Sequence, residues 1–466
     1  MLLCAACFWV LDLGVLRAGT PDPLDDTWEY GVAARHLLAG EGFRTGVIHP
    51  PLWTLRDAHL SVPVLVHGPL LPLILAPLLA LFGPGALDRI AMLAALFATL
   101  AALFTFRLGR RHFGEPVGIA AAALFTLAPL TLRAVHHDVS LALGAALFML
   151  ALDLLARERP RALAGGLALG SACLTRPEML VAAPVLAVLA GRAGLRAFVP
   201  GVVAVVAPWC WHGFRATGSP FFNLSGYLAA GYSVRWPGLT ILRDFDLPPA
   251  RWPETLAAAL PSLPTKWLDN LPHVLKRALL VPTGATGWLA AGGAIAGLAS
   301  ATGRRATAVA LACTLIPLAV MTATLYDSRY LTPFLPLWAL AAATGTSAIA
   351  RRAPPWGRRP RAWIGFLLLL VLPSIAPALS DAARESRALA TRLAAERAAL
   401  RDHSGGGLMF SDTPDFVAWT TGRPTVWLTR AEHDRLPAAA TADRPARGGP
   451  GDTWFHDPRG TDAPGH

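Results

Sequence analysis

Charge is scarce in this chain: Asp, Glu, Lys and Arg together make up 15% of 466 residues, against 54% hydrophobic residues. With a mean hydropathy of +0.46, that excludes an ordinary soluble globular domain. Lysine is nearly absent, since only Lys266 and Lys276 break an otherwise all-arginine set of 41 basic residues. The formal charge of +11 is not gathered into one stripe, so a nucleic-acid surface is not indicated. Cysteine is sparse and odd in number, five in all. Cys4, Cys7, Cys173, Cys210 and Cys313 lie in or beside apolar stretches, without the spacing of a disulfide framework or a zinc site. Residues 1–18 lack the basic flank of a signal peptide, and Asp12 interrupts their apolar run. They read as a short first membrane span whose true start is missing from the sequence. No internal repeat stands out.

Apolar runs fill much of what is there. Candidate spans fall near 1–18, 89–106, 116–133, 139–156, 162–174, 178–190, 197–212, 287–303, 306–325, 331–349 and 362–380. That makes an all-α polytopic membrane protein with about eleven transmembrane helices. The pair 162–174 and 178–190 is short enough to form a re-entrant hairpin, which would leave the parity unchanged. Arginine orients the spans. Arg107/Arg110/Arg111, Arg157/Arg159/Arg161, Arg192/Arg196, Arg304/Arg305 and the group from Arg351 to Arg361 fall at alternate loops, so the positive-inside rule makes all five cytoplasmic. The loops 19–88 and 213–286, the turns near 134–138, 175–178 and 326–329, and everything after about residue 381 are then external.

Two outer segments read as interfacial helices: 29–38, and the stretch from His67 to Gly83 with Pro69, Pro72 and Pro77. Trp and Tyr residues in loop 213–286 suit a headgroup-level belt, and Leu256–Leu260 and Leu268–Leu280 read as amphipathic helices there. Beyond the last span, 381–403 reads as an amphipathic helix, and 407–428 as a small strand–helix–strand element. The domain division is then a membrane-embedded domain over 1–380, a small external α/β element over 381–435, and a disordered Ala/Pro/Gly-rich tail over 436–466.

The polar residues that invite chemistry lie on the outer side. Asp25-Asp26 is an acidic pair at a membrane boundary, where carboxylates are costly unless they serve a function. It is followed by Ala34-Arg35-x-Leu-x-x-Gly40-x-Gly42. Further on come His67-Gly68-Pro69-Leu70 leading to Leu81-Phe82-Gly83, then Arg133-x-x-x-x-Asp138, Leu174-Thr175-Arg176-Pro177-Glu178, Thr217-Gly218-Ser219-Pro220-Phe221 and Asp327-Ser328-Arg329-Tyr330-Leu331-x-Pro333. In order and spacing over roughly residues 1–380, this set resembles the GT-C superfamily of glycosyltransferases. That group contains protein O-mannosyltransferases, lipid A aminoarabinose transferases and lipopolysaccharide-core galacturonosyltransferases.

The resemblance implies transfer, with inversion, of a sugar from a polyprenyl-phosphate donor to an acceptor hydroxyl on a protein, lipid or polysaccharide. The place would be the extracytoplasmic face of a bacterial inner membrane. A carboxylate is needed as general base, and arginine to hold the phosphate that leaves. The resemblance puts the base on Asp25 or Asp26. The residues leave the choice open, with Asp25 preferred as base and Asp26 as the member orienting the acceptor. Arg133 and Arg329 are the candidates for donor-phosphate binding, and Asp138, His67 and Tyr30 line the site. Arg176 and Glu178 read as a local pair at a tight turn.

No cofactor is expected. A divalent metal at His136-His137 and Asp138 lacks a second ligand pair at useful spacing. His49-Pro50-Pro51-Leu52 fits the family's common His-Pro-Pro form better than His67-Gly68-Pro69, but its position fits worse, so one of the two histidines is expected to be a decoy. The alternatives from other classes are a transporter or flippase of lipid-linked sugars, which would bury charges mid-span, and a non-catalytic family member.

Overall fold

The computed structural model describes residues 26–132, 138–233, 235–274, 295, 304–324, 328–350, 407–429 and 453–455, with scattered positions between 362 and 400. In chain order the helices are α1 (Thr27–Leu38), α2 (Leu70–Phe82), α3 (Ile90–Phe113), α4 (Glu115–Leu127), α5 (Val139–Leu155), α6 (Ala162–Thr175), α7 (Ala183–Thr217), α8 (Trp252–Ala259), α9 (Leu263–His273), α10 (Arg304–Thr324), α11 (Leu335–Ala350) and α12 (Pro414–Thr421). The strands are short: β1 (Arg44–Thr45), β2 (Val47–Ile48), β3 (Val62–Pro63), β4 (Met409–Ser411), β5 (Thr425–Trp427) and β6 (Thr453–Phe455).

Two compact units share the chain. The first takes in Arg89–Ala207 and Thr265–Arg387, the second Thr20–Asp88, Pro208–Pro264 and Ala388–His466. The first is a helical bundle whose members approach closely through small residues. A Cβ on Gly109 of α3 would stand 2.7 Å from Gly118 Cα of α4, and one on Gly166 of α6 would stand 2.2 Å from the Phe198 carbonyl of α7. Helices drawn together this tightly gain van der Waals contact, the main force available where hydrocarbon surrounds them. Phe148 and Phe334 meet edge-on at 5.3 Å within this bundle.

Proline and glycine set several helix ends. Ala128 precedes Pro129 and takes an extended conformation (ψ 130°), so α4 stops at Leu127 rather than running on to 133. Gly191 (φ 70°, ψ 168°) interrupts α7, a conformation open to glycine at little steric cost.

Among the described residues two helical stretches are long and apolar enough to cross a membrane, Met92–Phe113 and Pro177–Thr217. Shorter apolar helices occupy Leu70–Phe82, Glu115–Leu127, Val139–Leu155, Ala162–Thr175 and Thr307–Val320. Only 22% of the most apolar window of Pro177–Thr217 is buried, and Val188, Val199 and Val203 are exposed. Such an outward apolar face suits lipid rather than water.

In the second unit, α1 packs on α2 and α12. Trp28 is fully buried and meets Phe416 edge-on at 5.3 Å. A four-stranded sheet runs in the order β2-β5-β4-β6, all pairs parallel. Val47 registers with Thr425 and Ile48 with Val426, so residues near 47 and near 425 form one sheet. Arg44↔Pro63 and Thr45↔Val62 make a separate antiparallel pair. The positions 436–452 of the expected tail and most of 381–403 lie outside the described residues.

Candidate functional site

The acidic pair opens α1. Asp25 lies outside the described residues, while Asp26 is the N-cap residue and makes no side-chain capping bond. Three residues on, and therefore on the same helical face, Glu29 is buried. Two imidazoles from different loops reach its Oε2: His67 Nε2 at 3.2 Å and His49 Nε2 at 3.5 Å. The first distance is within hydrogen-bond range, the second only within ion-pair range. Glu29 Oε1 and both His49 nitrogens have no hydrogen-bond partner, although all three are buried.

Backbone pairing explains how the two histidines arrive. His49 follows β2 directly, and that strand's alignment with β5 sets the imidazole edge-on to Trp427 at 5.3 Å. His67 ends a segment held by the second outer loop. Asn223 Nδ2 donates to the Val66 carbonyl at 3.1 Å and the Leu224 amide to the Leu65 carbonyl at 3.0 Å. The two imidazoles are therefore not alternatives, because both address one carboxylate. Tyr30 is buried with its ring 4.8 Å from that of His67, so it lines the imidazole as expected of a neighbour on α1.

The electrostatics of this cluster are unequal. Burial by itself raises the Glu29 carboxyl, yet the charges and hydrogen bonds of His67 and His49 together outweigh it and bring the pKa down to about 2. Burial lowers His67, but the Asp26 and then the Glu29 carboxylates overcome it and raise the pKa to about 9. His67 is thus an imidazolium at neutral pH. Asp415, at the start of α12, moves the other way. Burial, together with the Glu29 and Asp26 charges, pushes its pKa well above the usual carboxylate range, which disfavours its ionised form. Asp26, Glu29, His67 and Asp415 thus act on one another through their charges.

Glu29 and Asp415 were not among the candidate residues. The spacing of Glu29 from Asp26, i to i+3, was a usable signal. No pattern in the sequence ties Asp415 to residues nearly 400 positions earlier. Arg35 of the Ala-Arg pattern bridges the same elements. Its Nη2 donates to the Ala418 carbonyl at 2.9 Å, and its guanidinium lies 4.2 Å from the Trp419 ring centre. Burial lowers its pKa to about 10.

The first unit holds a different arrangement. Asp138 is the N-cap of α5 and accepts from the Ser140 amide at 2.9 Å. Arg176, buried at the end of α6, donates from Nη1 to Asp138 Oδ2 at 2.9 Å and to Ser140 Oγ at 2.8 Å. Its Nε bonds Glu178 at 2.5 Å, and its guanidinium lies over the Tyr330 ring at 4.6 Å. The expected Arg176–Glu178 pair is present, and Asp138 is its second anion. Arg133 lies outside the described residues, and of Arg329 only the backbone is described, within the 3₁₀ turn Ser328–Phe334. His136 and His137 are likewise outside. Among the described residues no group of three or more His, Cys, Asp or Glu side chains is set to hold a metal ion.

The family model for dolichyl-phosphate-mannose-protein mannosyltransferases matches residues 66–211. The chain also superposes on the ArnT of Cupriavidus metallidurans bound to undecaprenyl phosphate, with a TM-score of 0.55 at 15% identity, covering 91% of this chain and 85% of that one. The chain shares the fold of ArnT. ArnT in its apo state gives the same TM-score at 14% identity, covering 94% of this chain and 87% of ArnT. A second structure, the oligosaccharyltransferase AglB of Archaeoglobus fulgidus with an inhibitory peptide and a dolichol phosphate, has a TM-score of 0.54 at 14% identity, and the match covers 91% of this chain but 63% of AglB. No curated protein sequence matches the chain.

Proposed function

We propose that this GT-C chain moves a sugar from a polyprenyl-phosphate donor to an acceptor hydroxyl, with inversion, on the extracytoplasmic face of a bacterial inner membrane. What supports this reading is the charge set around Glu29: a carboxylate at the head of α1, Asp26, acting on a histidine that stays protonated. The fold likeness to ArnT and AglB, whose structures carry undecaprenyl phosphate and dolichol phosphate, makes a lipid-phosphate donor the natural substrate class.

In the proposed reaction the acceptor oxygen attacks the anomeric carbon opposite the phosphate. The bond from that carbon to the phosphate oxygen breaks, its electron pair leaves on the phosphate, and the hydroxyl proton passes to a carboxylate of the acidic pair. We assign the base to Asp26, in place of the Asp25 preferred from the sequence, because its charge acts on His67. A cationic His67 beside it keeps the carboxylate ionised and ready to accept a proton, and Glu29 holds the imidazole in place. Arg133 and Arg329 are assigned to the donor phosphate, where a fixed guanidinium stabilises the charge that develops on departure. The reading uses no cofactor. About eleven spans and an outer placement of both 19–88 and 213–286 complete it.

The test is transfer of a radiolabelled polyprenyl-phosphate sugar by membranes containing the chain. Asp26→Asn is expected to lower turnover by about 10²–10⁴-fold at unchanged protein level, and Asp25→Asn by less. Full activity in the Asp25→Asn/Asp26→Asn double variant would rule out the acidic pair as base.

A further inference from the structure

Helix α5 carries a second buried acid, Asp153, fifteen residues beyond Asp138 and so roughly 22 Å along the axis. Its side chain is fully buried, and three guanidiniums converge on it: Arg107 Nη2 at 3.2 Å, Arg111 Nη2 at 3.0 Å and Arg157 Nη2 at 3.1 Å. Arg111 also donates from Nη1 to the Asp153 carbonyl at 3.0 Å. One carboxylate offsets one of these three charges. Two remain, and the exposed Glu158 next to Arg157 offsets at most one of them.

At this end of the bundle lies a cavity of about 570 Å³ whose walls differ in character. Arg111, Arg157 and Glu158 form its polar side, whereas Leu152, Leu189 and Leu337 contribute to the apolar side. Inorganic phosphate would satisfy the guanidiniums and leave the leucines wet. A ligand that satisfies both sides has an anionic head and a hydrocarbon tail. These arginines belong to the clusters that the positive-inside rule assigns to the cytoplasmic side, where anionic lipids gather and basic pockets between helices take their headgroups.

We propose that this cavity binds an anionic glycerophospholipid of the cytoplasmic leaflet. Its phosphate is taken by Arg111 and Arg157, whose planar forks suit phosphate oxygens, and an acyl chain lies along Leu189 and Leu337. The occupied site completes the charge balance around Asp153 and fastens the ends of α3 and α5 together. The proposal rests on the membrane placement of the bundle and is independent of the transfer chemistry.

Purified full-length chain in neutral detergent tests it. Phosphatidylglycerol, phosphatidylcholine of the same acyl chains, and undecaprenyl phosphate are each added and followed by native mass spectrometry and thermal unfolding. Phosphatidylglycerol is expected to stay bound and to raise the melting temperature by about 3 °C or more, with phosphatidylcholine doing neither. Arg111→Gln/Arg157→Gln should weaken retention at least about tenfold. Leu189→Trp, which fills the apolar side and spares the ion cluster, should abolish retention even if the arginine variant fails to fold. Glu158→Gln should tighten retention about threefold. Equal retention of the two phospholipids, unchanged retention by Leu189→Trp, or preference for undecaprenyl phosphate would each overturn the assignment.

Discussion

The Glu29 cluster of the second unit and the Asp138–Arg176–Glu178 cluster of the first are both built from buried charge, yet they are opposite in kind. Around Arg176 every charge has a short, directed partner: two carboxylates, a serine hydroxyl and an aromatic face. Around Glu29 the partners are imidazoles and other acids, four buried polar atoms (Glu29 Oε1, both His49 nitrogens and Asp415 Oδ1) are without a hydrogen bond, and for Glu29 and His67 burial and charge pull the pKa in opposite directions. A satisfied ion cluster fixes helices, whereas an unsatisfied titratable one is where chemistry is expected. Two buried acids in one chain are thereby sorted by their partners rather than by their burial.

The sharpest way to break that distinction is to remove Arg176. Arg176→Ala strands Asp138 as a buried carboxylate without its cation and should cost about 3–5 kcal/mol of stability, seen as loss of folded protein in detergent and a lowered melting temperature. A variant as stable as the parent would put Arg176 among the functional groups instead.

Next in size is Glu29→Gln, which removes one of the carboxylates that hold His67 charged. Turnover should fall by about tenfold or more, and the alkaline limb of the pH–rate profile should move to lower pH. In the parent, His67 is raised from 6.5 to about 9, so its contribution to stability is complete below pH 6.5 and disappears as pH rises through about 9. Glu29 is lowered from 4.5 to about 2; its contribution is complete above pH 4.5 and disappears as pH falls toward about 2. The proposed activity should therefore decline above pH about 9 with His67 present, and an unmoved alkaline limb in Glu29→Gln would separate Glu29 from the imidazole's charge.

The smallest effect belongs to Asp415→Asn. Burial and the Glu29 and Asp26 charges disfavour the ionised form of Asp415, so an amide of the same shape should change stability by no more than about 0.5 kcal/mol and turnover by no more than about threefold. A large loss at pH 7 would mean that Asp415 works as an anion.

Much of the helical bundle was readable from residue type. The span expected at 139–156 is free of proline, and α5 (Val139–Leu155) fills it almost end to end. Boundaries were lost where backbone chemistry outranked hydropathy, as at Pro129, which ends α4 early, and Gly191, which interrupts α7. The acidic pair's neighbourhood was legible through Tyr30 and His67. Choosing between His49 and His67 was not possible from order along the chain, since a parallel strand pairing brings the first and a loop clasp the second. Arg133 and Arg329 keep the standing the resemblance gave them, and Asp138 proves to be engaged twice, as a helix cap and as a partner of Arg176.

The sheet order β2-β5-β4-β6 has a temporal meaning. His49 is set by a strand whose partner lies nearly 380 residues later, and Asp415 belongs to that same late segment. A ribosome must have passed residue 427 before β2 can be joined and the charge set around Glu29 assembled. Such far-separated pairing forms slowly, so a nascent chain passes through most of its synthesis with these acids and imidazoles unassembled, and the charge set around Glu29 comes together only once this late segment folds.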